Sequence, residues 1–270
     1  MTDRYAVIGN PIAHSKSPLI HAAFARQTGQ DLTYEAILAP LDGFAERVEK
    51  FRVEGGKGLN VTVPFKVEAW RLASQLTERA RLAQAVNTLK FEADDTILGD
   101  NTDGAGLVRD LIHNLGCALQ GKRILLMGAG GAARGVLLPL LEQQPVALFI
   151  VNRTPAKAHE LQQQFSAYSQ VEAGSYQDLA ERQFDVVINA TSSGLSDELP
   201  PLPPGVFAAD GLAYEMMYGR DTPFMKFARE HGAACIADGL GMLVEQAAEA
   251  FLLWRGVRPE TEAVIGQLRA

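Results

Sequence analysis

Between Arg123 and Glu142 the chain reads as an apolar run, a glycine cluster and a helix-forming stretch. Ile124 to Met127 suits a buried parallel strand. Gly128-Ala129-Gly130-Gly131-Ala132-Ala133 follows at once and matches G-x-G-x-x-A, the alanine form of the dinucleotide-binding turn. Gly128 permits the tight turn, Gly130 lets the backbone approach a pyrophosphate, and Ala133 lets the helix pack close to the strand. The start of the helix then offers free N–H groups and a partial positive charge to the anion. Gly128, Ala129, Gly130, Gly131 and Ala132 are therefore candidate cofactor contacts, and this half of the chain is expected to be a Rossmann-type α/β domain.

A second apolar strand, Ala147 to Val151, runs into Asn152-Arg153-Thr154. A chain that binds NAD usually carries Asp or Glu here, to hold the ribose 2′-hydroxyl. This one carries no acid. Arg153, the Thr154 hydroxyl and Lys157 one helical turn on suit a 2′-phosphate instead. The cofactor expected is NADP, held by Asn152, Arg153, Thr154 and Lys157.

A length of 270 residues leaves room for one large or two modest domains. The net charge of −7 comes with no basic cluster, so nucleic acid is not an expected partner. Cys117 and Cys235 have no metal-ligand spacing, which argues against a metal site and fits a reducing cytoplasm. No apolar run reaches the roughly 20 residues of a membrane span, and no signal peptide precedes the strand-like Tyr5 to Ile8. A cytoplasmic location is expected.

In chain order, Arg4 to Ile8 reads as a strand, followed by His14-Ser15-Lys16-Ser17-Pro18. Pro18 suits a first helical position, with Ser17 as N-cap and Ser15 in the loop. Two serine hydroxyls at a helix start can also hold a carboxylate. Leu32 to Leu38 reads as a strand and Leu41 to Val53 as a helix. Gly58 to Val63 reads as a buried strand in which Asn60 and Thr62 share one face. Lys66 falls just past its end, where α/β proteins place ligand groups. Glu68 to Leu82 reads as one helix. Asn87 interrupts the apolar strand that starts at Ala85, and Asp103 can cap the helix Ala105 to Leu115. Further strands are expected at 184–190, 206–213 and 233–236, with helices at 224–231, 242–254 and 259–268.

Several segments together resemble the shikimate dehydrogenase family: GNPIAHSKSPLIH (9–21), GLNVTVPFK (58–66), AVNTL (85–89), GDNTDGAG (99–106), GAGGAAR (128–134), VNRT (151–154), NATSSG (189–194) and ADGLGMLVEQAAEAF (237–251). They keep the family order over nearly the whole chain. The resemblance implies that Ser15 and Ser17 bind the shikimate carboxylate, which displaces the loop reading of Ser15. It makes Lys66 and Asp103 the catalytic pair, and Thr62, Asn87, Tyr218 and Gln246 substrate contacts. Met216 and Gly239 would lie against the nicotinamide side of the cofactor. The implied fold is two α/β domains. A discontinuous substrate-binding catalytic domain, 1–102 completed by the helices of 241–270, accompanies an NADP-binding domain, 103–240.

The implied reaction is reversible hydride transfer between NADPH and 3-dehydroshikimate, a step of chorismate and aromatic amino acid biosynthesis. Negative charge develops on the carbonyl oxygen, and Lys66 is the cation placed to answer it, oriented by Asp103. A monomer or homodimer is expected. The rival readings are an enzyme acting on quinate or another cyclic polyol acid, and a catalytically silent NADP-binding regulator.

Overall fold

The computed structural model describes residues 2–191 and 198–270. The chain forms two compact units, Met1–Gly106 with Leu243–Ala270, and Leu107–Met242. Both crossings fall inside helices. Ser192, Ser193 and Gly194 of the NATSSG segment lie outside the described residues.

The first unit holds β1 (Asp3–Gly9), α1 (Ser17–Thr28), β2 (Leu32–Leu38), α2 (Phe44–Val53), β3 (Gly56–Val61), α3 (Lys66–Leu72), β4 (Gln75–Leu76), α4 (Glu78–Ala83), β5 (Thr88–Phe91), β6 (Ile97–Asp100) and the start of α5 (Asp103–Arg109). Its sheet has the order β2-β1-β3-β5-β6-β4. β1 pairs in parallel with β2 and β3, whereas β3–β5 and β5–β6 are antiparallel. That antiparallel hairpin brings Asn60 opposite Thr88, and Thr88 opposite Asp100. β3 is buried along almost its whole length, so the Asn60 face is interior rather than solvated.

The helix read over 68–82 is broken in two. Ala73 turns to extended backbone after α3, and Gln75–Leu76 adds a short parallel edge to β6. Thr77 then restarts the helix, its hydroxyl accepting the Ala80 N–H at 3.3 Å. An N-cap inside a helix-forming stretch overrode the propensity of its neighbours.

The second unit holds β7 (Arg123–Met127), α6 (Gly131–Glu142), β8 (Ala147–Val151), α7 (Pro155–Phe165), β9 (Glu172–Gly174), β10 (Phe184–Asn189), β11 (Phe207–Glu215), α8 (Pro223–Glu230) and β12 (Cys235–Asp238). The sheet is parallel throughout in the order β12-β11-β10-β7-β8-β9. This is the doubly wound order, and its switch point lies between β7 and β10. α9 (Leu240–Arg255) and α10 (Glu262–Arg269) complete the chain. From Leu243 onward α9 belongs to the first unit, where Val244, Ala247, Ala248 and Phe251 pack on Ile20 and Phe24 of α1. Burial of each such phenylalanine contributes roughly 1.5–3 kcal/mol.

Arg258 ties the same helix to the C-terminal loop. It meets Glu249 at 2.5 Å and the buried Glu245 at 2.8 Å, and Thr261 also donates to Glu245. Arg79 bridges Glu249 and the buried Asp100, so α4, β6 and α9 share one ion network. Among the described residues, no helix is long and apolar enough to cross a membrane.

Candidate functional site

In the first unit, Lys66 opens α3 shortly past the end of β3, and its ammonium donates to Asp103 Oδ2 at 2.6 Å. The Asp103 side chain is 12% exposed and that of Lys66 31%, so the pair is shielded on one side and reachable on the other. The other carboxylate oxygen, Oδ1, accepts Asn87 Nδ2 at 2.8 Å. Asp103 therefore has one oxygen on the cation and one on a neutral amide. It begins α5, but the bond that closes the turn there runs from its own N–H to Asn101 Oδ1 at 3.2 Å. The capping role read for Asp103 thus falls to Asn101, whose side chain forms an Asx-type turn, and the Asp103 carboxylate is turned to Lys66.

Asn87 stands one residue before β5, buried, because strand pairing resumes at Thr88. Its Oδ1 accepts the Thr102 N–H at 2.8 Å. Gln246 of α9 reaches the same group, with Oε1 3.4 Å from both Asn87 Nδ2 and Thr102 Oγ1. Gly106 allows that approach, since a Cβ there would sit 2.7 Å from the Gln246 backbone. Thr62 lies just beyond β3, half-buried, with its methyl against Gly9.

At the start of α1 neither serine occupies the N-cap, which falls to Lys16 between them. Ser17 is the first helical residue, and the N-cap Lys16 makes no side-chain cap bond. Ser15 Oγ accepts the Ser17 N–H at 3.3 Å, so Ser15 supports the helix start. Ser17 is buried and adjoins Tyr34, where it favours the ionised phenol against the stronger effect of burial, which pushes that phenol well above its usual range.

Tyr34 and Thr88 carried no local signal as functional residues, and Asn60 only that of a polar residue sharing a strand face with Thr62, yet all three join the same cluster. Tyr34 Oη donates to Asn60 Oδ1 at 2.7 Å, and Asn60 Nδ2 donates to Thr88 Oγ1 at 3.1 Å. His21 stacks flat on Tyr34 at 4.1 Å and also touches Phe24, Phe251 and Trp254. Neither His21 nitrogen has a hydrogen-bond partner. Burial drives the ring down to about 3, against a smaller opposing pull from the Asn60 amide. This histidine is neutral and serves packing.

In the second unit, Gly128 has φ of +106°, and a Cβ there would sit 3.1 Å from the Ala190 carbonyl. The turn demands glycine at that position. Gly130 has extended backbone and precedes α6, whereas a Cβ on Gly130 or Gly131 would meet no protein atom within 4 Å. Ala129 is buried in the turn, Ala132 is exposed in the first turn of α6, and Ala133 is fully buried against the sheet. An α-helix N-terminus at the sheet's switch point, bare of side chains, fits a pyrophosphate.

At the end of β8, Asn152 Nδ2 donates to the Thr154 carbonyl at 2.9 Å and shapes the turn. Thr154 precedes α7 without capping it through its side chain. The Arg153 side chain is 89% exposed, with Glu198 at 3.9 Å, and Lys157 is exposed in the next turn. Two exposed cations and a hydroxyl, with no acid from Val151 to Lys157, fit a ribose 2′-phosphate.

Met216 and Tyr218 follow β11 in this same unit, both half-buried, and burial raises the Tyr218 phenol. Gly239 is required there: its N–H donates to the Met217 carbonyl at 2.9 Å, and a Cβ would lie 2.2 Å from the Met216 carbonyl oxygen. Among the described residues, no three His, Cys, Asp or Glu side chains cluster so as to hold a metal.

Residues 7–89 match the family description "Shikimate dehydrogenase substrate binding domain", 110–196 match "Shikimate / quinate 5-dehydrogenase", and 239–269 match "Shikimate 5'-dehydrogenase C-terminal domain". A shikimate dehydrogenase (NADP(+)) of Nitrosospira multiformis is 67% identical, covering 100% of this chain and 98% of its own. The crystal structure of an Ael1 enzyme from Pseudomonas putida superposes with a TM-score of 0.94 at 54% identity, over 99% of this chain and 98% of that one. The shikimate 5-dehydrogenase of Thermus thermophilus, crystallised with NADP(H) and shikimate, superposes with a TM-score of 0.87 at 32% identity over 99% of both chains. With three matching segments in order and such identity across its full length, the chain belongs to the shikimate dehydrogenase family.

Proposed function

We propose that this chain is an NADP-dependent oxidoreductase that reversibly reduces 3-dehydroshikimate to shikimate, in the biosynthesis of chorismate and aromatic amino acids. The observation that carries the reading is the Lys66–Asp103 pair, 2.6 Å apart and half-shielded, with Asn87 and Gln246 around it. The substrate-binding catalytic domain is read as 1–102 with 241–270 and the NADP-binding domain as 103–240, while the compact units divide after Gly106 and Met242, which keeps Asp103 with Lys66. The enzyme works in the cytoplasm as a monomer or homodimer.

Ser15 and Ser17 hold the substrate carboxylate, and Thr62, Asn87 and Gln246 hold its hydroxyls; Tyr218 is a further substrate contact. Gly128 to Ala132 cradle the pyrophosphate through backbone N–H groups, and Asn152, Arg153, Thr154 and Lys157 hold the 2′-phosphate and its ribose. Met216 and Gly239 bound the nicotinamide. When bound, NADPH supplies the hydride that the carbonyl carbon accepts. Lys66 then gives its proton to the carbonyl oxygen, where negative charge develops, and regains one from solvent. Asp103 keeps the ammonium aimed and accepts the neighbouring hydroxyl. The interaction of Lys66 strengthens as charge builds on oxygen, so it lowers the barrier rather than merely tightening binding.

The test is an NADPH-oxidation assay with 3-dehydroshikimate, run in parallel with the analogue 3-dehydroquinate and with NADH. Turnover with 3-dehydroshikimate and NADPH well above the other three combinations is expected. Absence of turnover in a folded, NADPH-binding protein would remove the reading.

A further inference from the structure

A one-way chain of hydrogen bonds runs through the first unit into Asp103, and its direction is forced by the chemistry of its members. Asn87 Oδ1 faces the Thr102 backbone N–H, which can only donate, at 2.8 Å. Asn87 Nδ2 faces the Asp103 carboxylate, which accepts, at 2.8 Å. The Asn87 amide can therefore be oriented in one way only. Asn60 is fixed likewise. Its Nδ2 lies 3.4 Å from the Asn87 backbone carbonyl, an obligate acceptor, which leaves Oδ1 for the Tyr34 hydroxyl at 2.7 Å. Thr88 stands between the two amides. Asn60 Nδ2 donates to its oxygen at 3.1 Å, and its single hydrogen goes to Asn87 Oδ1 at 2.9 Å, the nearer acceptor, with Thr102 Oγ1 at 3.4 Å.

Read from Tyr34, every hydrogen points toward the carboxylate: Tyr34 to Asn60, Asn60 to Thr88, Thr88 to Asn87, Asn87 to Asp103. Asp103 has then one oxygen left, and Lys66 holds it. Thr88 is fully buried and Asn60 and Asn87 nearly so. Water does not compete, and each bond in such a series polarises the next. The His21 ring, flat against Tyr34 at an interplanar angle of 6°, holds the phenol in line.

We propose that Tyr34 and Thr88 are positioning residues for the Lys66–Asp103 pair, acting through Asn60 and Asn87. Neither touches the substrate in the assignment above. Without the Tyr34 hydroxyl, Asn60 Oδ1 loses its donor and the amide keeps only its Nδ2 contacts, to the Asn87 carbonyl and to Thr88. Asn60 then aims less firmly at Thr88, and the Thr88 hydrogen that restrains the Asn87 amide is held less firmly in turn. The inference rests on the reading of Lys66 and Asp103 as the catalytic pair.

Thr88 offers a test in which packing and hydrogen bonding predict opposite orders. Thr88→Val keeps the shape and removes the hydroxyl, whereas Thr88→Ser keeps the hydroxyl and removes a methyl. With one buried hydrogen bond lost, kcat for 3-dehydroshikimate should fall about three- to tenfold in Thr88→Val. KM should change less than kcat, and NADPH affinity, followed by nucleotide fluorescence, should not change. Thr88→Ser should stay within about twofold of the parent. Tyr34→Phe should resemble Thr88→Val in kcat, with a larger rise in KM because the phenol also bonds Ser17, and the kcat of the double variant should be little worse than that of the worse single one, because both break the same chain.

Parent activity, and its loss in Lys66→Met, are measured first, and failure there sinks the catalytic reading rather than the chain. Given that activity, a Thr88→Val enzyme with full kcat overturns the proposal. So does a Thr88→Ser enzyme as impaired as Thr88→Val, or a double variant whose losses multiply. Should Thr88→Val not fold, Tyr34→Phe carries the same kcat test.

Discussion

The two halves of the proposed machinery are built from different materials. Around Lys66 the work is done by side chains, and each is held by another: Lys66 by Asp103, Asp103 by Asn87, Asn87 by Thr88 and Thr102. Around the glycine turn the work falls to backbone N–H groups, and the side chains matter chiefly where they are missing, at Gly128, Gly130 and Gly131. The side chains that do act there, Arg153 and Lys157, stand exposed in solvent. A network of buried side chains should fail when one atom changes and respond to pH. A backbone cradle with exposed cations should fail by steric intrusion and respond to salt.

The largest effect that would sharpen this contrast lies at Lys66. Lys66→Met keeps much of the stem and removes the proton, so kcat should fall on the order of 10²–10⁴-fold. NADPH affinity and melting temperature should change little. Asp103→Asn should also lose kcat, and the double variant should be little worse than Lys66→Met, since the pair acts as a unit. Steady-state kinetics on the three variants decide it. A Lys66→Met enzyme with normal kcat and a raised KM would demote Lys66 to a substrate holder.

Next comes the phosphate end of the cradle. Arg153→Ala should weaken NADPH by about tenfold to a hundredfold, the worth of a charge-assisted hydrogen bond of roughly 1.5–3 kcal/mol, and leave NADH nearly unchanged. The parent's preference for NADPH should shrink as salt is raised, and the variant's, resting on Lys157 alone, should shrink less. Equal losses for both nucleotides in titrations would break the comparison, because Arg153 would then not be reading the phosphate.

The pH response should come from the side-chain half. His21 has a folded value of about 3 against an ordinary 6.5, because burial disfavours its charged ring. The unfolded chain therefore binds the proton first as pH falls. The stability due to the neutral ring is full above pH 6.5 and is lost progressively between there and about 3. At pH 5 the loss is about 2 kcal/mol. Chemical denaturation of His21→Phe should show a flatter stability profile than the parent between pH 7 and 5. Parallel profiles would mean that His21 does not titrate on unfolding.

The smallest effect is at the start of α1. Ser15→Ala removes the acceptor of the Ser17 N–H and should cost about 0.5 kcal/mol, at the low end for a helix-start contact, while raising KM for shikimate. A variant that melts earlier and binds shikimate normally would leave Ser15 a purely structural residue.

Much of the second unit was legible in the sequence because its signals are local. A parallel strand buried on both faces is an apolar run, as Ile124 to Met127 and Ala147 to Val151 are, and a turn with φ of +106° admits little but glycine, as at Gly128. The change from acid to Arg153 is likewise read within one loop. Local order misled where a single cap outweighed propensity, as at Thr77, and at the start of α1, where the Ser15 hydroxyl rather than that of Ser17 accepts a backbone N–H.

The site of the first unit is another matter. Its residue types could be picked out by resemblance, but Lys66 and Asp103 are 37 positions apart and Gln246 lies 159 beyond Asn87. Tyr34 and Thr88 look like ordinary strand residues. Thr88 became part of the site only when β5 folded back antiparallel on β3, opposite Asn60, and Tyr34 only when β1 paired in parallel with both β2 and β3. Hydrogen bonds act over about 3 Å and depend on direction. A chain can therefore specify one donor or acceptor at a time in its sequence, while which of them meet, and which way each amide must face, is decided by strand register and burial.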